Sequence, residues 1–220
     1  MNGRLVVGAL MVLMLWTWAA VAEAQSRTFN VNYTSRATFK TDAPLETIVG
    51  TTAGEGAVTG SVMLDPARPQ DAKGTVRVDL NAVKTGIDRR DTHMRSKEFL
   101  DSEASEASEA NRWAVFEVKG VEIAGPLEPG RAVPARVRGM LTIRGKPIET
   151  VADSTVYYLR LTPEQIESQK RFGFTPETLR ITSKFPTTFT NHGMQVPQLL
   201  ILKVSNDIHI EADLVLVQAQ

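Results

Sequence analysis

The sequence predicts an all-β fold, antiparallel and either closed into a barrel or stacked as a sandwich, broken by one polar helix. Three observations carry this. Val76, Val78 and Leu80 alternate with Thr75, Arg77 and Asp79. Val133, Ala135, Val137, Gly139, Leu141 and Ile143 share one parity. Such period-two patterns mark half-buried antiparallel strands. Between them lies a charged run, Thr85 to Asp101, with no such alternation. Eight or more strands with only short helices lead to a barrel or a sandwich.

The chain opens on a leader. Arg4 precedes an apolar run, Leu5 to Trp18, broken only by Gly8 and Thr17, and Ala22-Glu23-Ala24 is a small-x-small cleavage site. This is a secretory signal pattern, and the run is short for a membrane span. Residues 1–24 are expected to be removed, leaving a single domain over 25–220 and a periplasmic or secreted protein. An uncleaved anchor is the alternative. Lysine plus arginine and aspartate plus glutamate number 25 each, a balance that argues against nucleic acid as a partner. The chain has no cysteine, so stability must come from burial and hydrogen bonding rather than disulfides.

The elements follow in order. Phe29, Val31 and Tyr33 alternate with polar neighbours in a first strand, continued after a kink by Ala37 to Lys40. Glu46 to Thr52 and Ala57 to Leu64 are the next strands, the latter stopped by Asp65-Pro66. Thr75 to Leu80 leads into the polar helix. Ser-Glu-Ala then repeats three times from Ser102 to Ala110, a three-residue period that gives no apolar face. Trp113 to Ile123 is a strand with Phe116 and Val118 inward and Val121 bulged inward. Arg131 to Ile143 turns tightly at Arg144-Gly145-Lys146, and Ile148 to Leu161 returns. Thr162-Pro163-Glu164-Gln165 is a capping box with proline at the first helical position, opening a short helix. Leu179 to Phe189, Leu199 to Val204 and Ile208 to Leu216 are the remaining strand candidates.

Enzyme motifs are scarce. Gly139 and Gly145-Lys146 are misspaced for a phosphate loop, and Pro147 stands where serine or threonine should be. There is no Gly-x-Ser-x-Gly elbow. His93, His192 and His209 lack metal-ligand spacing. On the polar helix, Arg90, His93 and Arg95 can converge on a phosphate or polar head group through charge-assisted hydrogen bonds. The competing reading is that Asp88 and Asp91 pair with Arg89, Arg95 or Lys97 and the helix plugs one end of the sheet. The inward aromatic and aliphatic residues, Phe39, Phe116 and Leu141 among them, either line a cavity or fill the interior.

Several segments resemble the YceI-like family of exported lipid-binding proteins. They are Tyr33 to Phe39, Val49-Gly50 through Val58-Thr59-Gly60, Leu64-Asp65-Pro66, and Lys84-Thr85-Gly86 followed by Arg90-Asp91-Thr92-His93-Met94-Arg95-Ser96-Lys97-Glu98-Phe99-Leu100-Asp101. Gly139-Met140-Leu141-Thr142-Ile143-Arg144-Gly145 and Val204 to Ile208 complete the set. The resemblance implies an extended lipocalin-like antiparallel barrel of about eight strands with one or two short helices. It also implies a tunnel for a long apolar molecule such as a polyisoprenoid quinone or a prenyl phosphate. No cofactor is expected beyond such a lipid, and transient membrane contact and a homodimer are further expectations. On this footing Arg90, His93 and Arg95 are assigned to the ligand head, and Phe39, Phe116 and Leu141 to its tail. The expected role is carriage or storage rather than catalysis. Two alternatives stand beside it: an enzyme acting on such a lipid with Asp91 and His93 as acid and base, and a ligand-free stress or interaction protein whose barrel is filled by its own side chains.

Overall fold

Alternation in the sequence becomes pleated pairing in space. The computed structural model describes residues 26–103, 106, 108–199 and 202–220. The leader expected at 1–24 lies outside the described residues, as do three positions of the Ser-Glu-Ala segment. The strands are β1 (Arg27–Val31), β2 (Arg36–Ala43), β3 (Glu46–Thr52), β4 (Val58–Leu64), β5 (Lys73–Asp79) and β6 (Val83–Lys84), followed by β7 (Trp113–Ile123), β8 (Ala132–Ile143) and β9 (Lys146–Arg160). After these come β10 (Glu177–Thr188), β11 (Gln198–Leu199), β12 (Leu202–Lys203) and β13 (Asp207–Gln218). The helices are α1 (Asp88–Arg95), α2 (Ser108–Asn111) and α3 (Pro163–Ser168).

Eight strands close on themselves in the order β1-β4-β5-β7-β8-β9-β10-β13, with β13 returning to β1. Every pairing is antiparallel. Closure removes the edges that a sandwich would leave. β1 and β2 behave as one strand interrupted at 32–35: β13 pairs β1 through Leu216 to Gln218 and β2 through His209 to Asp213. Ser35 bridges the break. Its hydroxyl accepts from the Val215 N–H at 3.0 Å, in place of a ladder bond, and donates at 3.1 Å to the Val215 carbonyl, which the Asn32 N–H also reaches at 2.7 Å. β3 pairs with β2, and β6 with β3, lengthening the wall at the end where α1 sits. A bulge between Val118 and Gly120 shifts the parity of β7, so Phe116 and Val118 face in before it and Val121 and Ile123 after it.

Two details differ from the sequence expectation. Tyr33 lies past the end of β1 and is exposed, its hydroxyl donating to the Arg171 carbonyl at 2.8 Å. Leu199 to Val204 is not a barrel strand; Gln198–Leu199 pairs with Leu202–Lys203 as a separate small hairpin. The polar helix buries a charge. Asp91 is its buried residue, accepting from the Thr85 N–H at 2.9 Å and the Thr85 hydroxyl at 2.6 Å. Burial works against that carboxylate, but the Thr85 donors, helped by Lys84 and Arg95, hold its pKa below the usual range.

The buried apolar residues form two clusters. The larger, around Phe29, Leu64, Tyr158, Leu179 and Leu216, closes one end of the barrel. The smaller joins Leu141, Ile143 and Met194 to Leu80, Leu100, Phe116 and Phe185 at the α1 end. The inward-facing residues between them, such as Ile181, Ile210 and Val137, are only half-buried.

Candidate functional site

That half-burial marks an internal space. A cavity of about 200 Å³ runs between the two clusters, and among the described residues that line it only Thr38 and Ser183 are polar and none is charged. An apolar cavity of this order excludes water and takes up apolar guests. The space arises from register. Ala37 on β2 pairs with Ala212 on β13, and Ala212 with Ser183 on β10. Ser183 in turn pairs with Ser154 on β9, and Ser154 with Ala135 on β8. Five neighbouring strands therefore present small inward side chains in one row. A barrel of eight strands is just wide enough for side chains to fill it or for one small ligand, and in this row Ala37, Ala212 and Ser183 leave an unfilled space that they line.

Two aromatic rings keep to the wall. Phe39 lines the cavity and lies over Gly50, its cross-strand partner. A methyl group built on Gly50 would stand 2.9 Å from Phe39 Cζ and closer still to Cε1. Phe116 lies diagonally over Gly139, whose direct partner is Val118, with ring atoms 2.5 Å from where a Gly139 methyl would be. There the backbone carbonyl of Glu117 is also only 2.6 Å away, and it cannot rotate aside. Gly139→Ala is therefore expected to lower stability by about 1–3 kcal/mol, measured as a fall in the denaturant midpoint. An unchanged midpoint would mean that this wall yields more easily than its pairing implies.

Phe39, Phe116 and Leu141, expected from sequence along a ligand tail, all line this cavity from three different strands. Phe116 also approaches Phe185, their ring centroids 5.9 Å apart. Arg90, His93 and Arg95 sit together on α1 but outside the lining, and each faces a carboxylate. Arg90 Nη1 donates to Glu46 Oε1 at 2.9 Å while its Nε donates to the Thr85 hydroxyl at 3.0 Å. His93 Nε2 is 3.5 Å from Glu98 Oε2, and its ring meets Phe99 edge-on. Arg95 Nε is 2.7 Å from Glu103 Oε1.

Sequence reasoning passed over the residues that close the α1 end. Arg144, read only as part of a turn, donates to the Gly193 carbonyl at 3.0 Å and to the Lys97 carbonyl at 3.1 Å, clamping two loops over the barrel. His192 is fully buried with Nε2 2.8 Å from the Thr187 hydroxyl, and burial pushes its pKa down. Met194 inserts beside Leu141 and Ile143. Trp113, in contrast, lies outside the cavity lining, with the Arg77 guanidinium 4.4 Å from its ring centroid. The signal in the sequence is the run Asn191-His192-Gly193-Met194, with a glycine directly before the apolar Met194. Gly193 adopts a left-handed φ of 69° there.

The family model of the YceI-like domain matches residues 22–216. Comparison with curated proteins finds no match. Solved structures share the fold. Burkholderia cenocepacia BcnA superposes with a TM-score of 0.59 at 16% identity, over 83% of this chain and 96% of that one. A polyisoprenoid binding domain from Saccharophagus degradans, implicated in plant cell wall breakdown, gives 0.58 at 12% identity, over 89% of this chain and 100% of that one. A Campylobacter jejuni YCEI protein gives 0.55 at 16% identity, over 78% and 84%.

Proposed function

This chain belongs to the YceI-like family, and on that footing we propose that it binds a long, uncharged isoprenoid lipid, a quinone or prenol, for carriage or storage. The observation that carries the reading is the cavity lined without a single charged side chain. An apolar chain gains roughly 2.5 kcal/mol for each 100 Å² removed from water, with no polar contact required. The polyisoprenoid binding domain of the same fold agrees with this ligand class. The export signal in the sequence fits the need, since such a chain is poorly soluble in the space between two membranes. A binding role is preferred to catalysis. Asp91 is spent on Thr85, and His93 faces Glu98 outside the cavity.

An uncharged head is preferred because Arg90, His93 and Arg95 are each matched by a carboxylate, which a phosphate would have to displace. One observation favours the second reading, a prenyl phosphate: Arg95 Nη1 is buried and makes no hydrogen bond among the described residues. Titration with a prenol and with the same prenol phosphorylated separates the two. The preferred reading expects the phosphate to bind no more tightly than the alcohol. Phosphate binding at least about tenfold tighter, lost in Arg95→Ala, would establish the head-group role instead. Failure of both ligands to bind would end the lipid reading.

A further inference from the structure

We infer that Gly50 sets the bore of the tunnel by letting the Phe39 ring lie flat against the wall, so that a methyl-branched prenyl chain can pass. This rests on the lipid reading and adds to it the element that decides chain cross-section. Phe39 is flanked in register by Gly50 on β3 and Ile210 on β13. Directly opposed residues of an antiparallel pair point to the same face. The ring therefore shares its face with a position that carries no side chain, and all three of the nearest atoms to a Gly50 methyl belong to that ring. No backbone atom is among them, unlike at Gly139. The conflict created by alanine at 50 falls on a side chain that can rotate.

The direction of that rotation is constrained. Ile210 lines the cavity on the other flank, and the wall backbone lies behind. The lumen, with the small residues Ala37 and Ala212 one inward step along the strands, offers the open space. A ring displaced from Gly50 moves there, across the path of a ligand. An isoprenoid carries a methyl branch on every fourth carbon and is thicker than a straight alkyl chain. It is the first to be excluded as the bore narrows.

The test compares three proteins, the natural chain, Gly50→Ala and Gly50→Ala/Phe39→Ala, by binding of farnesol, of straight-chain pentadecanol and of the class-neutral fluorophore N-phenyl-1-naphthylamine. Thermal melting checks that each is folded. The inference expects Gly50→Ala to weaken farnesol by at least about tenfold, the loss of about two methylene-sized contacts with the wall. Pentadecanol should lose less, and the double variant should recover farnesol. Wild-type affinity for farnesol in Gly50→Ala overturns the inference, as does equal loss of both alcohols or a loss that the second substitution fails to restore. A natural chain that takes up the fluorophore but neither alcohol defeats the lipid reading alone, and the fluorophore then judges the role of Gly50 through the same loss and recovery. Uptake of none of the three defeats both.

Discussion

Ala212→Phe is expected to abolish ligand uptake while making the protein more stable. The two effects have one cause. Ala212 lines the cavity between Ala37 and Ser183, so a ring placed there projects into that space. Filling a cavity of about 200 Å³ adds contacts to the folded state, with a gain of about 1 kcal/mol expected for such substitutions. The same ring occupies the ligand's path, and an affinity loss of about a hundredfold corresponds to roughly 2.7 kcal/mol. Binding and denaturant unfolding, measured on one preparation, should move in opposite directions. If affinity and stability fall together, Ala212 is packed like an ordinary core residue and the lumen lies elsewhere.

The second large effect concerns the opposite end of the barrel. Glu177, at the start of β10, accepts from the Tyr158 hydroxyl and from Arg27, and Arg160 Nε lies 3.3 Å away. Tyr158 is almost fully buried, and the Glu177 side chain is only 12% exposed. The group ties β1, β9 and β10 together where the barrel closes. Glu177→Ala leaves a buried hydroxyl and a guanidinium without their acceptor, and should cost about 3 kcal/mol.

A pH dependence follows from the same network. Burial works against the Glu177 charge, but the Tyr158 hydroxyl, Arg27 and Arg160 outweigh it and hold the pKa below the usual range. The folded state thus binds fewer protons there than the unfolded chain. Its contribution is complete above the ordinary glutamate value of about 4.3 and disappears as pH falls through the lower folded value. Glu177→Gln should flatten the acid limb of the stability curve while leaving the rest of its shape intact. A variant whose acid limb matches that of the natural chain would show that other carboxylates govern acid unfolding.

Much of the barrel was legible in the chain. Most strands that form its wall carry their apolar residues on one parity, with β7 switching at its bulge, and the Thr162 capping box starts α3 as its residues demand, with Thr162 accepting from the Gln165 N–H. What alternation does not reveal is whether inward side chains meet across the centre. Ala37, Ser183 and Ala212 are unremarked small residues along the sequence, and only the pairing of β2, β13 and β10 sets them in one row. Gly50 and Gly139 are similarly silent, because their role depends on which ring lies opposite. The cations of α1 show the reverse problem. Their spacing was visible, but their partners Glu46, Glu98 and Glu103 come from a distant hairpin and from the loop beyond the helix, and helix periodicity does not report those.

The most direct measurement is organic extraction of the purified protein, followed by mass spectrometry of what comes out. A tunnel built to shelter an uncharged isoprenoid should yield a quinone or prenol in near-equal amount to the protein, and the Ala212→Phe variant should yield none. An extract free of isoprenoid, from a protein that also ignores farnesol offered in excess, would contradict the account at its centre.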